Sequence, residues 1–337
     1  MRTLLSPPRE TERTMIVSRN SSEQDIHNWG FVGTGSISAT VAQEVAAAGA
    51  GRLTAVVSRD LARAQSFAER YGFTRSYDDL DALLSDPEVD AVYIALPHTL
   101  HSRAVLQALS AGKHVLCEKP LATTAEEIQS ILSHPRAKDL VVAEGFMVRH
   151  HPQWRWIEEA IRSGLIGEVR VFESFFCLDA RPPNPGFDLM LDIGCYAVHF
   201  ARLAFQEEPL AVSAYSPSKD LVGASLYFRS GVAHIAQATH TMFGGRIHIV
   251  GSDGSLEVFS PVHSPNGIAR IVVSRRGEAP QERTFGPAPQ YALQFVDVSS
   301  AINTKSAARV PPANALANAR CLDAIRLAAQ RLSFVRL

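Results

Sequence analysis

Between residues 28 and 145, short continuous apolar runs alternate with amphipathic helical stripes, and few folds accommodate that pattern. The runs at 29–32, 53–57, 91–96, 115–117 and 140–143 do not alternate polar with apolar, which marks strands buried on both faces. Ile37, Val41 and Val45, then Leu61, Ala64, Ala68 and Tyr71, then Ala104, Val105, Ala108 and Leu109 recur at helical spacing between them. A further helix is predicted from Thr123, where Thr123 and Glu126 have capping-box spacing. Strands and helices in this order, joined by right-handed crossovers, give a doubly wound parallel sheet covered on both faces.

Past residue 150 strand-like runs at 169–176, 211–215, 224–229, 232–239, 246–250, 255–259 and 268–274 follow one another. Gly231, Gly244-Gly245 and Ser252-Asp253-Gly254 separate several of them, so a mostly antiparallel sheet is predicted. One helix near 189–205 interrupts it and another near 313–332 closes the chain. At roughly 100–200 residues per domain, 337 residues make about two domains. The chain is therefore read as α/β, with a poorly ordered polar tail over 1–27, a first domain over 28–145 and a second α/β domain over 146–337. Met15 is an alternative start to Met1.

Thirty-three basic residues against 34 acidic ones leave a formal charge of −1, which argues against nucleic acid and anionic membranes as partners. No apolar run approaches the ~18–20 residues of a membrane span, and the first 25 residues lack a signal-type apolar core. Cys117, Cys177, Cys195 and Cys321 lie far apart and read as reduced thiols. A cytoplasmic protein without a metal site is expected, since no acid or cysteine cluster completes a set with His98, His101, His150 and His151.

The first strand runs into Gly33-Thr34-Gly35-Ser36-Ile37-Ser38. The first glycine permits a tight turn, and the second lets the backbone approach a pyrophosphate lying on the free N–H groups of the next helix. The third position is Ser38, small but not glycine. At the end of the second strand, Ser58 and Arg59 stand where an acid would receive the ribose hydroxyls of NAD. A cation and a hydroxyl donor there suit a 2′-phosphate, so NADP is expected, with NAD as the alternative.

The fifth strand enters His114-Val115-Leu116-Cys117-Glu118-Lys119-Pro120. With the glycine turn, this segment resembles the Gfo/Idh/MocA oxidoreductase family, in which Glu-Lys-Pro is a hallmark. Pro97-His98-Thr99-Leu100-His101, Glu144-Gly145-Phe146-Met147-Val148-Arg149, Leu165-Ile166-Gly167-Glu168-Val169, Asp192-Ile193-Gly194-Cys195-Tyr196 and Gly251-Ser252-Asp253-Gly254-Ser255-Leu256 extend the resemblance, in order, over about 28–332. Asp-Ile-Gly-Cys-Tyr is most similar to the branch of dihydrodiol dehydrogenases and NADP-dependent D-xylose dehydrogenases. The resemblance implies an N-terminal Rossmann domain and a C-terminal substrate-binding α/β domain whose large open sheet forms a homodimer or a dimer of dimers. It implies hydride transfer between NADP and a hydroxyl or carbonyl carbon of a sugar, polyol or cyclic trans-diol. A non-catalytic NAD(P)-binding regulator of the same fold is the rival reading. The segment 184–191 departs from the branch's run of glycines and leaves the substrate open.

Lys119 is positioned to hydrogen-bond the reacting hydroxyl and stabilise alkoxide. Tyr196 beside a lysine is a proton carrier, because a nearby positive charge favours phenolate. Asp192 orients Tyr196 or a substrate hydroxyl. Asp192, Tyr196 and His199 stand at i, i+4 and i+7, which puts them on one helix face; His199 is read as packing. Gly33, Thr34, Gly35, Ser36, Ile37, Ser58, Arg59, Leu96, Pro97, His98, His101, Glu118 and Lys119 are expected against the cofactor. Arg149, His151 and Tyr196 are expected against the substrate, with Trp154 and Trp156 beside Arg149 and His151 at the domain junction.

Overall fold

A computed structural model describes residues 27–179, 187–262 and 267–337. The tail expected over 1–27 lies outside them except for His27, as do residues 184–186 of the unusual loop.

The first sheet has six parallel strands, β1 (Asn28–Val32), β2 (Arg52–Val57), β3 (Arg75–Tyr77), β4 (Ala91–Ile94), β5 (His114–Glu118) and β6 (Val142–Gly145). Their order is β3-β2-β1-β4-β5-β6, so the connections reverse between β1 and β4. That reversal opens a crevice at the carboxyl ends of the two strands. The connecting helices are α1 (Ser36–Ala48), α2 (Leu61–Tyr71), α3 (Leu80–Leu84), α4 (His101–Ser110) and α5 (Ala125–Leu132). The cap of α5 sits one residue later than the spacing of Thr123 and Glu126 predicts. Thr124 accepts the Glu127 N–H, while Glu127 Oε2 accepts the Thr123 N–H at 2.8 Å and its hydroxyl at 2.7 Å.

Alternate residues of the strands feed separate cores, as a sheet covered on both faces requires. Phe31, Val56 and Tyr93 point to α1 and α2, whereas Val32, Val57 and Ile94 point to α3, α4 and α5.

The second sheet has nine strands: β7 (Val169–Leu178), β8 (Ala211–Ser218), β9 (Leu221–Tyr227), β10 (Val232–Thr239), β11 (Gly244–Gly251), β12 (Gly254–Phe259), β13 (Ala269–Arg275), β14 (Gln281–Phe285) and β15 (Val335–Arg336). Their order is β14-β13-β12-β11-β7-β10-β9-β8-β15, and every pairing is antiparallel except β7 with β10. Helices α6 (Pro152–Arg162), α7 (Cys195–Phe205), α8 (Gln290–Thr304) and α9 (Pro312–Arg331) complete the chain. One face of the sheet buries Phe172, Phe176, Ile235 and Ile249 against α7, while Glu173, Phe175, His234 and Ala236 stand on the other.

The last two helices return to the first sheet. Phe295 of α8 packs on Trp29, Phe31 and Tyr93 with ring centroids 4.3, 5.8 and 5.4 Å apart, and Glu44 of α1 accepts the backbone N–H of Tyr291 at 2.7 Å. Ala315 and Ala319 of α9 join the core under α5.

Candidate active site

The carboxyl edge of the first sheet faces the second domain across a cavity of about 460 Å³. Ile37 of α1, Ala95 and Leu96 after β4, and Glu118 and Lys119 at the end of β5 form one wall. Phe176 and Leu178 of β7, Phe187, Phe243 before β11, and Pro261 and Val262 form the other. The start of α7 supplies Asp192, Ile193 and Tyr196 between them.

The glycine turn lies at the β1 edge of this cavity. Gly33 has φ +111°, and a Cβ there would stand 2.6 Å from the Ala95 carbonyl oxygen, so only glycine fits without moving the backbone. Gly35 precedes α1 with no side-chain cap on its N–H groups, and a Cβ built on it would meet nothing within 4 Å. Free amides, a helix N-terminus and open space above Gly35 fit a dinucleotide pyrophosphate. Ser38 is fully buried, so the third position serves close helix–strand packing.

Ser58 follows β2, its N–H held by the Tyr77 carbonyl at 3.1 Å, and Arg59 next to it is exposed. The sequence reading passes over Arg63, which reaches back from α2 to donate to the Thr34 carbonyl at 3.1 Å. That puts the Arg63 guanidinium beside the glycine turn. Thr34 and Ser36 border the same turn, the Ser36 carbonyl accepting the Thr40 hydroxyl.

Lys119, Asp192 and Tyr196 come together as expected, in an arrangement that differs in detail. The Lys119 ammonium donates to the backbone carbonyl of Asp192 at 2.7 Å and lies 5.0 Å from the centre of the Tyr196 ring. It therefore sits over the aromatic face and not at the hydroxyl. The Tyr196 hydroxyl donates to Met147 Sδ at 3.5 Å. Burial and the neighbouring acidic groups hold its ionisation well above the ordinary tyrosine range, so phenolate is disfavoured, contrary to the expectation from the nearby lysine. Asp192 Oδ2 accepts the Asp188 N–H at 2.9 Å, and Oδ1 stands 3.7 Å from His98 Nε2.

A π-helical turn, Met190–Gly194, precedes α7 where a continuous helix is predicted. Cys195 N–H reaches the Met190 carbonyl, and the widened turn leaves the Asp192 carbonyl to Lys119. Tyr196 and His199 both meet Phe146, edge-on at 5.3 Å and stacked at 4.3 Å, but Asp192 and Tyr196 line this cavity whereas His199 lines a separate cleft.

Behind Lys119 the turn is braced by buried groups. Glu118 accepts the Tyr93 hydroxyl at 2.8 Å, and burial raises its pKa. His101 opens α4, and its two ring nitrogens lie 2.7 Å from the Leu96 carbonyl and 2.8 Å from the Pro120 carbonyl. Burial pushes its pKa down to about 4 against the pull of those carbonyls. The ring borders the cavity, but its nitrogens tie the loop after β4 to the turn after β5 and are not free for a ligand. Pro97 opens the 3₁₀ turn His98–Leu100 of the same loop. Glu144 Oε1 accepts the Leu121 N–H at 2.9 Å; Oε2 is buried without a partner among the described residues, and burial raises the pKa to about 7.

Arg149 and His151 do not face the cavity. Arg149 donates to Glu158 at 2.8 Å and lies 3.2 Å from His199, in a separate charged cleft with Arg155 and Arg309. His151 caps α6 by accepting the Gln153 N–H at 3.1 Å. A helix boundary and an ion-pair partner nine residues away decide both positions. Trp154 is packed, stacking on Phe200 at 3.7 Å and donating to the Pro261 carbonyl at 2.7 Å. Trp156 packs near Phe285 with Arg283 over its ring. The sequence gives no signal for the apolar wall of Phe176, Leu178, Phe187 and Phe243, since its members come from three separate segments.

Residues 27–146 match the model of an oxidoreductase family with an NAD-binding Rossmann fold, Gfo/Idh/MocA, and 154–257 match the C-terminal domain model of that family. The dTDP-3,4-didehydro-2,6-dideoxy-α-D-glucose 3-reductase of Actinomadura kijaniata is 33% identical over 304 residues, 84% of this chain and 89% of that protein. The NADP(+) D-xylose 1-dehydrogenase 2 of Haloferax volcanii is 29% identical over 327 residues, 92% of this chain and 99% of that protein. The crystal structure of the aldose-aldose oxidoreductase from Caulobacter crescentus complexed with glycerol superposes with a TM-score of 0.85 at 26% identity, covering 93% of this chain and 100% of that one.

Proposed function

The chain belongs to the Gfo/Idh/MocA oxidoreductase family, and from that premise we propose that it is an NADP-dependent enzyme moving a hydride between the nicotinamide and a hydroxyl or carbonyl carbon of a sugar, polyol or cyclic diol. The observation that carries this reading is the convergence of Lys119, Asp192, Tyr196 and His98 on one cavity at the sheet edge beyond the glycine turn.

The bound nucleotide supplies the hydride acceptor or donor; the protein supplies position and charge. Gly33, Gly35 and the first turn of α1 receive the pyrophosphate, with Ile37 and Leu96 against the nicotinamide end. Arg59, exposed after β2, meets the 2′-phosphate, and Arg63 at the glycine turn adds a second positive charge on the nucleotide's side of the sheet, both of which support NADP over NAD. Lys119 donates to the substrate oxygen and stabilises negative charge there. Asp192 holds Lys119 through its carbonyl. Tyr196 presents its ring face to the ammonium and shapes the floor of the site. The Phe176, Leu178, Phe187 and Phe243 wall packs against the substrate's carbon skeleton.

The open face of the second sheet, with Phe175 44% exposed, serves as the surface joining two copies.

Absorbance at 340 nm during a screen of aldoses, inositols and trans-diols with NADP and NAD tests the reading. Turnover with NADP is expected. Lys119→Ala is expected to lower kcat at least ~100-fold while NADPH binding, followed by fluorescence, stays close to wild type. Near-wild-type rates in Lys119→Ala, or a clear preference for NAD, refute the corresponding assignment.

A further inference from the structure

Resting on the oxidoreductase reading above, we propose that Arg326, on the last helix, is a positioning residue for the reaction: through Asp188 it sets where Asp192 and Lys119 stand in the cavity.

The chain of contacts starts at the ammonium. Lys119 donates to the Asp192 carbonyl at 2.7 Å, so whatever fixes the backbone at 192 also fixes the ammonium. Asp188 does this from four residues upstream. Its carbonyl accepts the Asp192 N–H at 2.8 Å, and its own N–H donates to Asp192 Oδ2 at 2.9 Å. Its Oδ1 accepts the N–H groups of Met190 and Leu191 at 2.9 and 3.0 Å. Asp188 thus closes the turn ahead of α7, where the first amides have no partner inside the helix, and it aims the Asp192 carboxylate. The remaining oxygen, Oδ2, accepts from Arg326 Nη2 at 3.2 Å.

Arg326 has a second hold on the site. Its Nη1 donates to the Thr123 carbonyl at 3.4 Å, in the segment that follows Lys119. Asp323, one turn back on α9 and 3.5 Å from the same Nη1, accepts the Ala125 N–H at 2.9 Å. The planar guanidinium therefore spans two segments, one carrying Asp192 and one continuing from Lys119, each from a different domain. A lysine ammonium presents no such fork. Buried Asn318 of α9 also donates to the Cys195 carbonyl at 3.1 Å, so α9 grips the start of α7 at two points.

The Arg326 and Asp188 side chains are 30% and 43% exposed, and a pair so exposed adds little to the stability of the fold. Geometry is less forgiving, since a displacement of about 1 Å at the reacting groups costs up to ~100-fold in rate. The contact is therefore read in turnover and not in the unfolding midpoint. It also gives a role to Asp188 in the segment 184–191, which the sequence sets apart.

Arg326→Met keeps the apolar stem and removes both holds. Its kcat is expected to fall ~10-fold or more, with the NADPH dissociation constant within about twofold and the urea midpoint close to wild type. Arg326→Lys is expected to recover part of that loss. Asp188→Asn keeps an acceptor for Met190 and Leu191 but gives up the charge that holds Arg326. It is expected to slow kcat to a similar extent, and the double variant Arg326→Met/Asp188→Asn to be no slower than the slower single one, because both cut the same link. In protein without substrate, hydrogen exchange over 190–192 is expected to quicken ~3-fold or more in Arg326→Met. A wild-type kcat in Arg326→Met, additive losses in the double variant, or unchanged exchange over 190–192 overturns the inference. So does a fall in kcat that comes with an equal loss of NADPH binding or a collapsed urea midpoint, which marks a merely structural role. Wild-type protein that binds NADPH but turns over no alcohol or carbonyl compound overturns the oxidoreductase reading instead, and the exchange comparison then still decides whether Arg326 holds the turn.

Discussion

Glu144 is a carboxyl buried one strand away from Lys119, with one oxygen on the Leu121 N–H and the other on nothing among the described residues. Its pKa of about 7 lies above the ordinary carboxyl value of 4.5, so the folded state holds its proton more tightly than the unfolded chain. That contribution to stability is complete below about pH 4.5 and is lost as pH rises through 7. Glu144→Gln keeps an acceptor for Leu121 and removes the ionisation. It is expected to be no more stable than wild type at pH 4.5 and more stable at pH 8, by up to about 3 kcal/mol. Urea denaturation at both pH values measures the difference, and equal gains at both refute the account. Glu144 carries no pattern in the sequence that predicts such a state, since burial is set by strands β5 and β6 together. That Lys119, Asp192 and Tyr196 line one cavity is legible in the sequence because each stands in a short motif that the family resemblance singles out. Arg149 and His151, expected against the substrate, stand outside the cavity because each has a partner elsewhere, Glu158 or the α6 backbone, that no local pattern announces.

At the scale of elements, continuous apolar runs mark five of the six parallel strands and the strand-like runs with their turn signals mark β7 to β13, because both signals are local, whereas β3, β14 and β15 carry no such run. The π turn at Met190–Gly194 is not local: one hydrogen bond exchanged for another leaves the apolar spacing of α7 unaltered. Helix α8 shows the same division. Tyr291, Phe295 and Val298 carry a helical stripe, yet the partner of that stripe, Trp29 and Phe31, lies at the far end of the chain. Phe295 is fully buried between them. Phe295→Ala is expected to cost roughly 3–5 kcal/mol and to shift the Trp29 emission in the native state, read by urea titration and fluorescence. A loss below about 1 kcal/mol shows that α8 is an accessory to the first domain and not part of its core.

For the molecule as a whole, the nine-stranded sheet leaves one face without a covering helix layer, with Phe175 on the central strand between Ala236 and Arg246 of its neighbours. Exposed aromatic area at the middle of a broad sheet favours burial against a second copy. Wild-type protein is expected to elute as a dimer or dimer of dimers in light-scattering chromatography, and Phe175→Asp as a smaller species that still binds NADPH. An unchanged mass in that variant places the interface elsewhere. Order of synthesis adds one more demand. Trp29 and Phe31 leave the ribosome early, but the ring that seals them is made only after strands β1 to β14 have been translated. Until then the nascent nucleotide-binding half travels with a bare aromatic seam, so its maturation is tied to the far end of its own message.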